Sequence, residues 1–122
     1  MYPSFKFFMI SKEVVVDEKL TAIIGGGGNS IILNTDSAIV VIDTKMSKNA
    51  EKLYEKVLTI AQNKKIIVIN THCHGDHIKG NFLYPNSDIF IGNYDLDFLH
   101  KNIDEENFPN NIIRDKYLDI YS

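Results

Sequence analysis

The chain has 122 residues, a formal net charge of −3 and a hydrophobic content of 44%. This composition excludes a disordered chain, and without a basic excess we expect no nucleic acid partner. No segment approaches the roughly 18 apolar residues that a membrane span needs, so we also expect no membrane partner. The sequence predicts a single domain over residues 1–122.

The N-terminus and the cysteine content predict the compartment. The apolar run near the start, Phe7–Ile10, is too short for the core of a signal peptide. Cys73 is the only cysteine, so no intramolecular disulfide indicates an oxidising environment. We therefore expect a cytoplasmic protein.

Short apolar runs separated by turn residues predict strands in the first third of the chain. The runs are rich in β-branched residues, and their spacing favours antiparallel hairpins. The predicted strands are Phe5–Ile10, Leu20–Ile24, Ile31–Leu33 and Ala38–Ile42.

Four consecutive glycines, Gly25–Gly28, lie between two of these predicted strands. A phosphate-binding loop would require a helix directly after the glycines, but the next residues, N-S-I-I-L, predict a strand. We interpret the glycines as a permissive hairpin turn. A mobile flap over a site is the alternative interpretation.

The apolar period changes after Asp43 and predicts a helix, with Ser47 as its N-cap and Glu51 near its positive end. The residues on its predicted apolar face are Ala50, Leu53, Tyr54, Val57, Leu58 and Ala61. The following run, Ile66–Ile69, is apolar throughout and predicts a strand buried on both faces.

The remaining pattern predicts a strand at Asp88–Ile91, a helix at Asn93–Asn102 and one or two strands after Asn110. Hairpins and crossovers therefore occur in the same chain. The predicted fold is a mixed sheet with helices on its outside, of the α/β or α+β layered class.

A histidine cluster follows the predicted buried strand, in N-T-H-C-H-G-D-H. His72 and His74 are two residues apart and would point the same way, with Cys73 pointing away. Asp76 and His77 would present a carboxylate and an imidazole to a second position. These groups are ligands for zinc, ferrous iron or manganese. The alternative, surface histidines on a polar loop, does not explain why the spacing and the carboxylate occur together.

The stretch T-H-C-H-G-D-H (Thr71–His77) resembles the T-H-x-H-x-D-H signature of the metallo-β-lactamase superfamily. The resemblance extends forward through Ile78–Asn81, where a Gly-Asn pair follows. It extends back through V-V-I-D-T (Val40–Thr44) and the Asn29-Ser30 pair. It covers about Asn29 to Gly92 in all.

The resemblance implies the αββα sandwich of that family and one or two zinc ions, with iron or manganese as alternatives. It assigns His72 and His74 to a first metal, and Asp76 and His77 to a second. Asp76 would also orient the nucleophile. Asp43 would either orient a metal ligand or only cap the following turn.

The implied activity is hydrolysis of a small-molecule ester, thioester, lactone or lactam by metal-activated water. His77 stands where some lactamases of the family carry Arg. This difference favours a glyoxalase II-like or lactonase-like enzyme.

The sequence departs from the family in length, since the family domain is close to double this chain. Two further histidines and a bridging aspartate would be expected downstream, but only His100 follows His77, and we predict a surface position for it. We therefore expect the N-terminal half of the sandwich, with an exposed sheet face and little activity of its own. A homodimer would cover that face. The alternative functions are a non-catalytic metal- or partner-binding module, or a small α/β domain with a vestigial cluster.

Overall fold

The computed structural model describes residues 11–114, and side chains from residue 12 onward. Seven strands in this part of the chain form one mixed sheet, in which the spatial order follows the chain order. The first four strands pair antiparallel, and β4 to β7 pair in parallel. The strands are β1 (Ser11–Val15), β2 (Leu20–Gly25), β3 (Ser30–Asn34), β4 (Ala38–Ile42), β5 (Lys65–Asn70), β6 (Asp88–Gly92) and β7 (Asn111–Ile113).

The helices lie in the connections between the parallel strands. They are α1 (Ser47–Ala61), α2 (Gly75–Ile78) and α3 (Leu96–Asn102), with 3-10 turns at Asn81–Leu83 and Glu105–Asn107. None of the helices within the described range is long and apolar enough to cross a membrane. Because β4, β5 and β6 are parallel, the residues that follow them come together at one edge of the sheet.

The predicted mixed sheet with outer helices is confirmed. β1 was not predicted, because S-K-E-V-V has little apolar content of its own. It pairs with β2 from Ser11 opposite Gly25 to Val15 opposite Thr21. The predicted strand at Phe5–Ile10 lies outside the described residues, and so does most of the predicted C-terminal segment.

α1 covers one face of the sheet with the predicted stripe, but two details of the prediction were wrong. Leu58 is 45% exposed because the buried stripe is centred on Leu53, Val57 and Ala61, and Leu58 lies at its margin. Ser47 is the first residue of the helix rather than its N-cap, a position that Met46 occupies without a side-chain cap.

The hydrophobic core lies between α1 and this face of the sheet, and α3 packs on the same face through Leu99 and Ile91. The central strands contribute side chains that are inaccessible to solvent: Ile39, Val41 and Val68 each have a relative exposure of 0%. The apolar runs of β4 and β5 are therefore at the centre of the sheet, as predicted.

The opposite face of the sheet, which we term the open face, is also apolar. Strand registers and the alternation of side chains define its members. Its apolar members are Val14, Leu20, Ala22, Ile24, Ile31, Leu33, Ala38, Val40, Ile42, Ile67, Ile69, Phe90 and Ile113, and the registers also place Lys12, Lys65, Asp88 and Asn111 on it. Among the apolar side chains only Ile24 is exposed, at 44%, whereas Val40 and Ile67 at the centre are buried, at 2% and 6% exposure. The predicted exposed sheet face is therefore wrong for the centre of the sheet and holds only at Ile24.

Candidate metal centre

The predicted site residues follow the C-terminal ends of two adjacent parallel strands. Asp43 comes directly after β4, and the segment from Thr71 to His77 comes directly after β5. Two backbone hydrogen bonds tie the segments together: Asp43 N donates to Ile69 O at 2.8 Å, and Thr44 N donates to His77 O at 2.9 Å. Asp43 and the motif therefore lie together at one edge of the sheet.

The Asp43 carboxylate lies at the centre of this edge and is only 2% exposed. Its Oδ1 accepts from Thr71 N at 2.8 Å. Its Oδ2 accepts from Thr71 Oγ1 at 2.6 Å and contacts His77 Nδ1 at 2.6 Å. Asp43 therefore bonds both the backbone before the motif and a predicted ligand, so it does more than cap a turn.

These contacts determine which nitrogen of each histidine carries a proton. A carboxylate only accepts hydrogen bonds, so the Nδ1 of His77 must be the donor to Asp43. The Thr71 hydroxyl donates its single proton to Asp43. In the 2.9 Å contact between Thr71 Oγ1 and His72 Nδ1, His72 Nδ1 must therefore be the donor. Asp43 thus fixes His77 directly and His72 through Thr71, and each neutral ring keeps Nε2 as an electron-pair donor.

The three histidine rings of the motif are close neighbours. The ring centroid of His72 lies 4.0 Å from that of His77 and 4.8 Å from that of His74. The ring of His74 also meets the edge of Phe98 on α3 at 5.3 Å. Cys73 points away as predicted: it is 2% exposed and packs with Leu99 and Ile91.

The donor chemistry of this cluster fits a cation. His77 Nε2 lies 3.7 Å from Asp76 Oδ1, close to the roughly 3.4 Å that separates two ligands of one tetrahedral zinc. Within residues 12–114, however, no three His, Cys, Asp or Glu side chains converge in a group that could hold a metal. The donor groups are therefore of the kind that metals bind, and His77 and Asp76 are spaced as two ligands of one ion. The described residues do not form a complete coordination sphere by themselves.

His100 lies apart from the motif, as predicted. It is exposed on α3, with its ring 5.3 Å from that of Phe108.

The glycine loop, Gly25–Gly28, packs against the motif. Gly25, Gly26 and Gly27 have φ of 88°, 69° and 98°, conformations that favour glycine. A Cβ on Gly28 would lie 2.7 Å from the Asp76 carbonyl oxygen and 2.8 Å from His77 Nε2. The loop is a hairpin turn, as predicted, and Gly28 allows its backbone to approach the candidate ligands.

Lys45 is a site residue that the sequence reasoning missed. Its side chain is fully buried, and its Nζ donates to the carbonyl oxygens of Ile23, Gly25 and Gly28 at 3.2, 2.8 and 2.5 Å. Burial lowers the pKa of Lys45, while the negative charges of Asp43 and Asp76 act in the opposite direction. A lysine just after a strand gives no sequence signal of burial.

A buried hydrogen-bond network around the Asn81 amide connects the segments that flank the motif. Asn81 Oδ1 accepts from Thr44 Oγ1 at 2.8 Å and from Asn70 Nδ2 at 3.2 Å. Its Nδ2 donates to Asn70 Oδ1 at 2.8 Å and to Asn107 O at 2.9 Å. The network ties the ends of β4 and β5 to the segment after α2, so the Gly-Asn pair after the motif has a structural role.

Solved structures with the same fold include metallo-beta-lactamases and a sulfatase. The enzyme from Pontibacter korlensis matches with a TM-score of 0.69 at 16% identity, over 85% of this chain and 53% of its own. The enzyme from Hirschia baltica matches with a TM-score of 0.64 at 14% identity, over 84% and 52%. A stereoselective inverting sec-alkylsulfatase from Pseudomonas sp. matches with a TM-score of 0.58 at 24% identity, over 77% and 17%.

The sequence assigns the family. The model of the metallo-beta-lactamase superfamily matches residues 23–89, more than half of the chain. The chain belongs to this superfamily, so the predicted family is confirmed. No curated protein matches the sequence. The chain spans about half the length of the two metallo-beta-lactamases, so its fold corresponds to part of theirs.

Proposed function

We propose that this chain carries the metal-binding motif of a metal-dependent hydrolase, with His72, His74, Asp76 and His77 as ligands of one or two zinc ions. The observation that carries the proposal is the bonding around Asp43. One carboxylate orients two histidines so that both present Nε2, in the manner of carboxylate–histidine–metal sites. Iron and manganese are the alternative ions for this ligand set.

A bound zinc ion supplies the activation of water and the polarisation of the bond to be broken. The residues of the chain would orient the attacking water and the metal ligands. Asp76, which is half-exposed and lies 3.7 Å from His77 Nε2, would bind a metal ion with His77 and accept a hydrogen bond from the attacking water. The buried Asp43 keeps His72 and His77 in their tautomers.

The substrate class that we propose is an ester, thioester, lactone or lactam. His77 in place of Arg favours a glyoxalase II-like or lactonase-like enzyme within this class. The similarity to a sec-alkylsulfatase adds sulfate esters to the substrates worth assaying.

A complete hydrolase site requires further ligands and a cover for the open face. We propose that a second copy of the chain packs on this face beside Ile24, because that side chain is 44% exposed while Val40 and Ile67 at the centre are already buried within the chain. Turnover by the isolated chain is therefore expected to be weak or absent.

A second candidate function is a metal- or partner-binding module without turnover. The observation in its favour is that no three donors converge within the described part of the chain. Such a module would hold a single ion loosely.

Metal analysis of protein purified without chelators or a nickel column tests both candidates. One or two tightly held equivalents of zinc or iron per chain support the hydrolase, and one weakly held equivalent supports the module. The double variant His72→Ala/His74→Ala should lose metal, whereas His100→Ala, which removes an exposed histidine outside the motif, should retain it. Unchanged metal content in the double variant would refute the ligand assignment.

Hydrolysis of thioester, lactone, lactam and sulfate ester substrates, each with and without EDTA, tests turnover directly. We expect any activity to disappear with EDTA and with the double variant. Robust activity from the isolated chain would refute the argument that its site is incomplete.

A further inference from the structure

Lys45 has a bonding pattern that is uncommon for a lysine. Its side chain has 0% exposure, and its three carbonyl acceptors match the three N–H donors of an ammonium group. Two of these acceptors, Gly25 and Gly28, are the first and last residues of the glycine loop. The third, Ile23, lies on the strand that leads into it. The Lys45 ammonium group therefore binds both ends of the glycine loop at the same time.

The loop in turn contacts the candidate ligands. Gly28 is so close to Asp76 and His77 that a Cβ on Gly28 would overlap them, at 2.7 Å from Asp76 O and 2.8 Å from His77 Nε2. A Cβ on Gly27 would lie 3.2 Å from the Asp76 Cβ. A shift of the loop would therefore open space beside both ligands.

A second tie confirms that α1 and its leading segment hold the loop. Asn49, in the first turn of α1, donates from Nδ2 to Gly26 O at 3.1 Å. Lys45 supplies the only charged side chain among the bonds to the loop in the described residues. Its removal would leave three carbonyl oxygens without their shared donor.

We propose that Lys45 is a positioning residue that holds the Gly25–Gly28 loop against Asp76 and His77, an inference that rests on the proposed metal site. Lys45 does not touch the reacting atoms. It acts through the loop, which limits the space in which the two ligand side chains move.

The direction in which zinc affinity changes when Lys45 is replaced separates a positioning role from a purely electrostatic one. Lys45→Met keeps the length of the side chain and removes its charge and donors. If Lys45 acted only as a nearby positive charge, its removal would strengthen zinc binding. If it positions the loop, its removal should weaken zinc binding by about tenfold, as for other residues that orient ligands.

The test compares Lys45→Met with Lys64→Met by competition of each protein with a chelator for zinc. Lys64 is a matched control, because its Nζ also ties a hairpin turn, through Asn34 Oδ1 at 2.9 Å and Thr35 O at 2.7 Å. That turn lies at the opposite edge of the sheet. We expect weaker zinc binding and faster amide exchange of residues 25–29 with Lys45→Met, and neither change with Lys64→Met.

Gly28→Ala provides a second variant in case Lys45→Met does not fold. The methyl group should push the loop and the ligands apart and weaken zinc binding, while Gly92→Ala, whose Cβ meets only the Tyr94 ring at 3.3 Å, should not. Unchanged or tighter zinc binding in folded Lys45→Met, or in Gly28→Ala, would overturn the inference.

Failure of the proposed function gives a different result. In that case the wild-type chain binds no zinc, and amide exchange of the loop decides the role of Lys45. Faster amide exchange of the loop only in Lys45→Met would support the role of Lys45 in holding the loop, and unchanged exchange would overturn that role.

Discussion

Replacement of Asp43 by Asn tests whether one carboxylate sets the tautomers of two histidines. The carboxylate accepts from Thr71 N, Thr71 Oγ1 and His77 Nδ1. In the variant, the single amide oxygen can replace either Oδ1, which accepts from Thr71 N, or Oδ2, which accepts from Thr71 Oγ1 and His77 Nδ1, but not both. If it accepts from Thr71 N, its NH₂ group faces Thr71 Oγ1 and His77 Nδ1, and both must become acceptors. If it is flipped, two N–H donors face each other in a buried site.

The favoured arrangement in the variant moves the proton of each ring to the wrong nitrogen. His77 would then carry its proton on Nε2, and the freed Thr71 hydroxyl would donate to His72 Nδ1, with the same result there. The loss of a residue that orients a metal ligand weakens metal binding by about 10–100-fold. With about tenfold for each histidine, Asp43→Asn should weaken zinc binding about 100-fold, or about 2.7 kcal/mol.

Two companion variants make the estimate specific. Thr71→Val removes the link to His72 and leaves the contact between Asp43 and His77, so zinc binding should weaken only about tenfold. Asp36→Asn removes an exposed carboxylate from the β3–β4 turn at the far edge of the sheet and should have no effect.

Zinc affinity is measured by competition with a chelator, and the tautomers by ¹⁵N NMR of the imidazole rings without metal. Wild-type His72 and His77 should show protonated Nδ1, and Asp43→Asn should show protonated Nε2. Unchanged zinc affinity in Asp43→Asn would refute the reasoning. Weaker binding with unchanged tautomers would show that Asp43 acts on the fold and not through the rings.

Further predictions concern stability and assembly. Asn81→Ala breaks the buried amide network and should lower the free energy of unfolding in urea by about 3 kcal/mol, whereas Asn102→Ala, on the exposed end of α3, should change it little; equal effects would refute the network's role. The Tyr84 hydroxyl is buried without a partner among the described residues, so Tyr84→Phe should preserve stability or raise it by up to about 1 kcal/mol. Burial raises the pKa of Tyr84, so wild-type stability should fall as the pH rises above about 10, the ordinary tyrosine value, and Tyr84→Phe should lose less; identical pH profiles would contradict this. Sedimentation should show a dimer that Ile24→Glu on the open face dissociates, and a wild-type monomer at all concentrations would refute the covering of that face by a second copy.

The sequence predicted the parts of the fold that depend on local pattern. The period of α1, the apolar run of β5 and the turn at the four glycines each lie within one segment, where propensity and periodicity act directly. β1 escaped prediction because its place in the sheet comes from pairing with β2. Leu58 was misplaced because the rotation of a helix on a sheet depends on what it packs against.

The candidate ligands could be proposed from the sequence for the same reason, since all four occur within Thr71–His77. The groups that orient them were harder to predict, because they come from distant segments. Asp43 was recognised only as one of two alternatives, and Lys45 was not recognised at all. A charged side chain is normally exposed, and only the folded chain shows that three carbonyl oxygens surround this one.

In the proposed metal site, the orientation of the candidate ligands and the completion of the site should be separable. Asp43, Thr71 and Lys45 all make their contacts within the segments from β2 to α2. None of these contacts involves the open face. Orientation of His72 and His77 should therefore persist in a monomer, whereas the proposed turnover would need further donors, because no three His, Cys, Asp or Glu side chains converge within the described residues. Zinc binding that is independent of protein concentration would be the consequence of this division, and zinc affinity that rises with dimerisation would contradict it.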